Sequence, residues 1–371
     1  MKNLLHTASL ICLLLLLSAW GSKGHKKISQ YFSASLPAEM AFLIPTWTNF
    51  VMNHASDADY RKDEDPDEAP RHYIDIDVYQ EFIQTGRIPQ TYDSLVMQYG
   101  YFFVIDNGIL PWATLRTFDS LQKCFERKDW NRSAYFAADL GHYVGDGHMP
   151  LHITKNYNGQ LTGQTGVHSR YETSLISRYE SQIVYAPEPA GYINDVPNYV
   201  FGYLYHNYRY VDSILIADTY ASNHAGGTGS AEYYQLLWEE TGAFTIGMMS
   251  DASTALASLI YTAWVMAGSP EMHPNGIGEP GQTLQPDLLP AFPNPASESV
   301  CFPFVLPEGR MRVTLSVFNE PGTLEEIVFE QVMEGGYHRV NWESGELTPG
   351  VYLCRMNAGG CSFTRKFVVS R

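Results

Sequence analysis

The chain has 371 residues, of which 45% are hydrophobic and 17% charged, and its formal net charge is −16 at pH 7. This composition, with 13% aromatic residues, excludes a disordered chain, and the length allows one large domain or two to three ordinary ones. The 40 acidic residues against 24 basic ones argue against a non-specific polyanion binder, because neutralising phosphates requires a basic face. No cysteine pair has the Cys-x-x-Cys spacing of a zinc finger.

Residues 1–19 have the three parts of a signal peptide. Lys2 gives a basic start, residues 4–17 are almost wholly apolar, and Ser18 and Ala19 are small residues at a cleavage position. The apolar run is shorter than the roughly 20 residues that span a bilayer, so a membrane anchor is the less favoured alternative. Cleavage after Ala19 gives a mature chain that begins at Trp20, and the sequence therefore predicts export without a transmembrane anchor.

Residues 20–272 are predicted to form an all-α domain. Residues 252–267 are nearly uncharged but too short to span a bilayer, so a buried core helix is expected there. Ser230 follows a glycine-rich loop and is expected to cap the last helix. Apolar residues recur near a period of 3.6 in residues 25–35, 37–53, 110–127, 131–147, 168–184, 194–220 and 230–268.

A change of composition marks a second domain at the C-terminal end. Residues 273–290 are rich in glycine and proline, as expected of a linker. The remaining residues, 291–371, are predicted to form a small all-β antiparallel sandwich, because turn residues separate short β-prone runs. These runs are residues 311–318, 325–332, 337–342, 350–356 and 362–369.

Several short motifs in residues 291–371 carry a family resemblance. They are Phe292-Pro293-Asn294-Pro295, Gly336-Tyr337, Trp342, residues 347–352 and Lys366. With these motifs the domain resembles the C-terminal sorting domain of type IX secretion cargo. The resemblance implies interaction with the secretion machinery and a secreted or cell-surface location. A generic binding module is the alternative, and the pairing of the cysteines in this domain is left open.

The strongest chemical signal lies in residues 141–152. His142 and Asp146 are four residues apart in a predicted helix, so their side chains point from one face. Pro150 is expected to end this helix, because a proline disfavours helical geometry in the residue before it. His152 then lies just beyond the helix end, where it can turn back toward the pair. An imidazole and a carboxylate one helical turn apart can bind one cation.

Further residues extend this set of candidate metal ligands. His168 and Glu172 repeat the four-residue spacing in another predicted helix, which strengthens the prediction of metal binding. The upstream candidates are each more simply surface or capping residues when taken alone. They are His25, Asp59, His72 and the free amine of Trp20. Together the candidates are enough for three cations if one carboxylate bridges two of them.

These residues are similar to the ligands of the zinc-dependent phospholipase C family and of the fungal and plant single-strand nucleases that share its fold. The resemblance covers most of residues 20–272 and implies three zinc ions. It implies three ligand sets, which are Trp20, His25 and Asp146; Asp59, His72, His142 and the same bridging Asp146; and His152, His168 and Glu172. It also implies cleavage directly before Trp20, because an amide nitrogen is a poor metal ligand.

The resemblance implies a secreted hydrolase of phosphodiester bonds. Zinc lowers the pKa of bound water from 15.7 toward about 7, so that hydroxide can attack phosphorus at neutral pH. Asp59 is then a zinc ligand and the candidate catalytic proton acceptor. A surface binding protein with structural zinc is the alternative of another class. The third ligand set has only three protein ligands and leaves a position for water, which favours the enzyme.

The residues divide between two substrate classes. The close spacing of Trp20 and His25 is like that of the nucleases, whereas Glu172 and the aromatic Tyr60 are like the phospholipases. We expect a phospholipid substrate in preference to a nucleic acid, with no stable nucleic-acid partner. The candidate substrate contacts are Tyr60, Tyr73, Asp75 and Asn158.

Overall fold

The computed structural model describes residues 21–62, 65, 67–184, 188–271, 286–288, 291, 295–296, 299–344 and 347–370. The predicted signal peptide, Trp20, most of the predicted linker and part of the Phe292–Pro295 motif lie outside the described residues. The chain forms two compact units. The first unit takes its described residues from 1–59, 70–122 and 134–266, and the second takes them from 60–69, 123–133 and 267–371.

The described residues before position 272 form helices and no strand, which confirms the all-α prediction. The α-helices are α1 (Gly21–Ser35), α2 (Ile44–Asn53), α3 (Asp57–Arg61), α4 (Gln80–Thr85), α5 (Tyr92–Tyr99), α6 (Tyr101–Asp106), α7 (Leu110–Glu126), α8 (Trp130–Gly147), α9 (Val167–Ser169), α10 (Ile176–Tyr179), α11 (Val196–Tyr208), α12 (Val211–His224) and α13 (Ala231–Met266). Short 3₁₀ helices span Ala38–Leu43, Ala69–His72, Ile76–Val78, Pro150–His152 and Glu180–Gln182, and Arg170–Leu175 is a π-helical turn.

The long helix α13 is the central element of the helical unit. It packs against α1 and α12, and α1 also packs against α2. Among the described helices, α13 alone is long and apolar enough to cross a membrane, yet 61% of its most apolar stretch is buried within the protein. This agrees with the predicted core helix, since a helix that is apolar all round must be buried. Ser230 caps α13 as predicted, because its hydroxyl accepts a hydrogen bond from the Tyr233 N–H at 3.1 Å.

Two predicted helices are interrupted in the structure. The helix predicted over residues 194–220 is two helices, α11 and α12, which are separated at Arg209 and Tyr210. Both helices bury apolar residues, such as Leu204 and Ile214, so the apolar pattern continues across the break and hides it. The helix predicted over 168–184 is divided among α9, the π-helical turn and α10. The short helices α4, α5 and α6 were not predicted, because each is too short to show a periodic pattern.

The second unit contains an antiparallel sheet, which confirms the predicted all-β C-terminal domain. Its strands are β1 (Asp287–Leu288), β2 (Ser299–Asn319), β3 (Leu324–Glu343), β4 (Gly350–Ala358) and β5 (Cys361–Val369). β2 is central, with β3 along one edge and both β1 and β4 along the other, and β5 pairs with β4. Two expectations are corrected, because β2 begins before residue 311 and the runs 325–332 and 337–342 are one strand.

The central strand β2 bends back on itself and closes the core. Its pairing with β3 shifts register between Leu306 and Arg310, where Gly309 has a φ of 108°. Phe302 and Phe367 pack edge to face with ring centroids 5.3 Å apart. Phe367 on β5 is joined through β4 to the far end of β2. At about 3.3 Å per residue, an unbent β2 would hold these rings tens of ångströms apart.

We expect Phe367→Ala to destabilise the β unit by about 3–5 kcal/mol, because it removes a fully buried ring from this core. Reaction of the Cys354 thiol reports unfolding of the unit. The thiol is buried, desolvation raises its pKa to about 12, and it is therefore unreactive in the folded state. The measurement is thiol labelling of Cys354 across a urea series, read by mass spectrometry. The control is Thr364→Ala on the same strand, whose side chain is exposed. Equal labelling midpoints for the two variants would contradict the role of Phe367.

Candidate metal centre

The candidate ligands that the structure describes come from separate elements and are all buried in the helical unit. His25 lies on α1 and Asp59 on α3, while His72 ends the 3₁₀ helix Ala69–His72. The others lie on α8, on the 3₁₀ helix that follows it, on α9 and on the π-helical turn after α9. They are His142, Asp146, His152, His168 and Glu172. The remaining candidate, Trp20, lies outside the described residues.

Asp146 lies at the centre of the first cluster. Its Oδ1 is 3.4 Å from Nε2 of His25, and its Oδ2 is 3.1 Å from Nδ1 of His72. The same Oδ2 is 3.4 Å from Nε2 of His142, one helical turn away as the spacing predicted. Asp59 completes the cluster, with Oδ1 3.6 Å from His142 Nε2 and 3.7 Å from His72 Nδ1. Each oxygen of Asp146 therefore faces a different imidazole, which is the arrangement of a bridging carboxylate.

A second cluster forms where the chain returns after α8. Glu172 Oε2 is 3.1 Å from Nε2 of His168 and 3.4 Å from Nε2 of His152. Pro150 begins the 3₁₀ helix that turns His152 back toward the site, as predicted. His152 also joins the two clusters, since its Nδ1 is 3.9 Å from Asp146 Oδ1.

The donor atoms of these residues converge in three groups that could hold metal ions. In each group the ligand atoms lie within 4.8 Å of one another. The groups are His25, Asp59 and His142; His72, His142 and Asp146; and His152, His168 and Glu172. The third group is the third predicted ligand set. The first two groups share His142 in place of the predicted Asp146, and Nε2 of His142 can bind only one cation, because Nδ1 donates to Ala55.

Backbone carbonyls orient three of the imidazoles. Nδ1 of His142 is 2.7 Å from the carbonyl oxygen of Ala55, and Nδ1 of His152 is 2.6 Å from that of His72. Nδ1 of His168 is 3.1 Å from the carbonyl oxygen of Tyr157. A carbonyl only accepts, so each Nδ1 carries a proton, and each ring in its neutral form presents the Nε2 lone pair to its cluster. This is the usual way in which a protein fixes the tautomer of a metal-binding histidine.

Gly145 allows α1 to approach α8 closely enough to deliver His25. A Cβ at position 145 would lie 2.9 Å from Nδ1 and 3.0 Å from Cε1 of His25. The His25 ring instead stacks on the His142 ring, with centroids 4.0 Å apart. The sequence offers a signal for this contact, because Gly141 and Gly145 are one helical turn apart on either side of His142. Without side chains at these two positions, the surface of α8 that faces α1 is smooth.

The separations between donor atoms fit a metal centre. Ligands bound at about 2.0–2.2 Å in a tetrahedron lie about 3.3–3.6 Å apart, and the closest pairs in the clusters are separated by 3.0–3.4 Å. Both ring nitrogens of His25, both oxygens of Asp146 and Nε2 of His152 and of His168 are buried without a well-formed hydrogen bond among the described residues. Buried polar groups are normally satisfied, and a cation at these positions satisfies them together.

The protonation states of the first cluster also fit a cation. Burial, with the neighbouring His25, lowers the pKa of His142 to about 3, so its imidazole is neutral at neutral pH. Burial alone would raise the pKa of Asp146, but His142, His25 and His72 hold it well below its usual range. An ionised carboxylate is thus buried among imidazoles of which at least one is neutral. Such a charge is costly without a compensating cation.

The second cluster shows the same demand for positive charge. Burial alone would lower the pKa of His152 and raise the pKa of Glu172. The two side chains reverse both effects, because Glu172 raises the pKa of His152, and His168 and His152 lower the pKa of Glu172. The carboxylate therefore stays ionised in a buried position by drawing a positive charge to itself. A divalent cation supplies that charge with neutral imidazoles as ligands.

The four candidate substrate contacts differ in their surroundings. Tyr60 follows Asp59 in the chain and is 64% exposed. The Tyr73 hydroxyl donates to the Asp106 carbonyl at 3.3 Å, which ties the residue after His72 to the end of α6. Burial, with the negative charge of Asp77, raises the pKa of Asp75 to about 7. Oδ1 of Asn158 accepts a hydrogen bond from the Gly166 N–H at 2.9 Å, so this oxygen closes the loop before His168.

Comparisons with known proteins identify the C-terminal domain. Residues 290–370 match the family described as a secretion system C-terminal sorting domain. The match confirms the predicted type IX sorting domain and indicates export to the cell surface or outside. No curated protein matches the chain.

Two solved structures with low sequence identity are similar to the chain. Alpha toxin from Clostridium absonum is 9% identical with a TM-score of 0.42, and the match covers 94% of this chain and 97% of the toxin chain. Clostridium perfringens alpha-toxin from avian strain SWCP has the same identity and score, with 95% and 98% covered. Similarities with this identity and TM-score assign no activity to the chain.

We expect Gly145→Ala to lower the metal content of the protein, because the added methyl group would displace the His25 ring from Asp146. The measurement is elemental analysis of purified protein after dialysis. Gly202→Ala on α11 is the matched control, since a Cβ there meets nothing within 4 Å and adds a good helix former. If both variants retained the same metal content as the parent, the close approach of α1 to α8 would not matter for binding.

Proposed function

We propose that the chain is a secreted, zinc-dependent phosphodiester hydrolase of the phospholipase C type. Residues 1–19 are the signal peptide, residues 20–272 the catalytic domain, residues 273–290 the linker and residues 291–371 the sorting domain in this proposal. The observation that carries it is the convergence of eight buried histidine, aspartate and glutamate side chains on three adjoining groups. Buried ionisable residues gathered in this way are characteristic of functional sites.

Zinc is the proposed metal because of the donor set. The groups combine neutral imidazoles with a few carboxylates, and imidazole nitrogen is a preferred zinc donor, whereas magnesium and calcium prefer oxygen alone. His152, His168 and Glu172 hold one ion in this proposal. Asp59, His72, His142 and Asp146 would hold a second, and His25, Asp146 and the amine and carbonyl of Trp20 would hold a third.

The protein residues have distinct proposed tasks in hydrolysis. When bound, zinc supplies a Lewis acid for phosphate oxygens and a water of lowered pKa. Asp59 is the proposed proton acceptor, because its Oδ1 lies 3.6 Å from His142 Nε2 and 3.7 Å from His72 Nδ1, beside the ions that these residues would hold. The carbonyls of Ala55, His72 and Tyr157 keep the Nε2 lone pairs directed inward, so the ligands need no rearrangement during the reaction.

A single-strand-type nuclease on the same fold is the second candidate. Its candidate base contacts are Tyr73 and Asp75, which follow His72 in the chain. An Asp75 carboxyl with a pKa of about 7 exists in both protonation states at neutral pH, so it can donate or accept a hydrogen bond with the edge of a base. The same two residues can contact a lipid headgroup, and the substrates must be compared directly.

We expect mature protein to hydrolyse bis-p-nitrophenyl phosphate and to release diacylglycerol from phospholipid faster than nucleotides from single-stranded DNA or RNA. Removal of zinc with a chelator should abolish turnover, and added zinc should restore it. Asp59→Asn should lower kcat by about 100-fold or more, because general base catalysis is commonly worth 10²–10⁴.

The matched control for Asp59 is Asp57→Asn, which removes a nearby carboxylate that pairs with His54 at 2.7 Å and lies outside the metal groups. Release of nucleotides alone would establish the nuclease instead. A zinc-replete mature protein that hydrolyses none of these substrates would favour a surface protein with structural zinc.

We also expect activity to require a free amine at Trp20. A chain expressed with Ala19 retained should bind one zinc fewer than the chain that begins at Trp20, since an amide nitrogen is a poor ligand. Elemental analysis of the two forms, with the amino terminus verified by mass spectrometry, provides the measurement. Equal zinc content in both would remove Trp20 from the ligand set.

A further inference from the structure

We infer that Asp218 is a positioning residue for the third metal group, His152, His168 and Glu172, and that it acts through Arg170. The inference rests on the proposed function, because it concerns a group of proposed zinc ligands. Asp218 lies on α12 and is 1% exposed, and none of the three metal groups contains it.

Asp218 is the acceptor at the centre of a buried hydrogen-bond network. Its Oδ1 accepts from Nη2 of Arg170 at 2.7 Å and from Nε of the same side chain at 3.1 Å. The Tyr233 hydroxyl also donates to Oδ1, and Nε2 of Gln164 donates to Oδ2 at 3.0 Å. The carboxylate therefore accepts hydrogen bonds from donors on three elements, which are α13, the loop before α9 and the π-helical turn. Charge-assisted bonds of this kind fix geometry strongly.

Arg170 connects this network to the metal ligands. It lies between His168 and Glu172 in the chain, at the first position of the π-helical turn Arg170–Leu175. Such turns are rare and often lie at functional sites. The Arg170 guanidinium also donates to the carbonyls of Thr165 at 3.0 Å and Gln164 at 3.2 Å. One side chain thus holds both the turn that carries Glu172 and the loop that precedes His168.

Hydrogen bonds in the loop before α9 also fix the orientation of the His168 ring. Gly166 closes the loop by donating to Asn158, and the neighbouring Tyr157 carbonyl accepts from Nδ1 of His168. His152, the third member of the group, is on a different element and is held instead by the His72 carbonyl. The separation of His152 from the other two ligands therefore depends on where Asp218 anchors the loop and the turn.

A buried ion pair is by itself weak evidence for stability, and its worth lies in the geometry that it enforces. Asp218→Asn keeps the shape of the side chain but loses the charge and replaces one acceptor by a donor. Partners of metal ligands commonly contribute 10–100-fold in metal affinity when they are removed. We expect Asp218→Asn to weaken the third site by roughly that factor and to leave the other zinc ions in place.

The test measures zinc retained by the mature full chain during titration with a competing chelator, with a midpoint for each ion. Asp218→Asn should shift the midpoint of one ion by about 10-fold or more. Tyr233→Phe removes only one hydroxyl and should shift the same midpoint less, which provides a milder variant if Asp218→Asn folds poorly. Glu180→Gln is the matched control, because it breaks the exposed ion pair with Lys23 in the same helical unit.

A double-mutant cycle separates positioning from general stability. In a His168→Ala chain, which lacks the third site, adding Asp218→Asn should leave the midpoints of the remaining zinc ions unchanged. If it weakened them as well, or if Asp218→Asn alone shifted no midpoint in a protein that binds three zinc ions, the inference would be overturned. A parent protein that binds no zinc would instead overturn the proposed function.

Discussion

The helical unit is organised around a carboxylate that has been removed from water. Asp146 is fully buried, and its oxygens lie 3.1–3.4 Å from three imidazole nitrogens. An ionised carboxylate in the interior costs several kcal/mol unless positive charge compensates it, and the neutral ring of His142 brings none. A cation at this position removes that cost. A bound cation would therefore stabilise the elements that carry these residues.

The sequence identifies ligands well where they share a helix. His142 and Asp146 are four residues apart, and this spacing fixes their common face whatever the tertiary structure is. His25 and His72 lie on separate elements, and no local rule brings them to α8, so only the family resemblance joined them to the set. Gly141 and Gly145 mark a smooth stripe on α8 in the sequence, but nothing in the sequence says that α1 packs against that stripe and brings His25 with it.

The same limit explains the errors in the predicted fold. The break at Arg209 is hidden because the helices on both sides bury apolar faces. The spacing of apolar residues shows which residues are buried, and it does not show whether one helix continues. The first half of β2 was missed because Pro303 and Pro307 lack an N–H for the ladder, which argues against a strand. In the structure the strand continues through these residues and bends near Gly309, so the features that obscured it lie where the sheet folds over.

The charge of the proposed centre bears on its substrate. Zinc ions at three sites, with the carboxylates of Asp59, Asp146 and Glu172, would leave about three positive charges, because histidine ligands are neutral. The chain as a whole carries −16. Such a site attracts one phosphate while the protein repels a polyanion, over a Debye length of about 10 Å at 0.1 M salt. A lipid headgroup presents a single phosphodiester, whereas a nucleic acid strand brings one charge per nucleotide and finds few basic side chains to release its counterions. This difference is the physical reason for proposing a phospholipid substrate in preference to a nucleic acid.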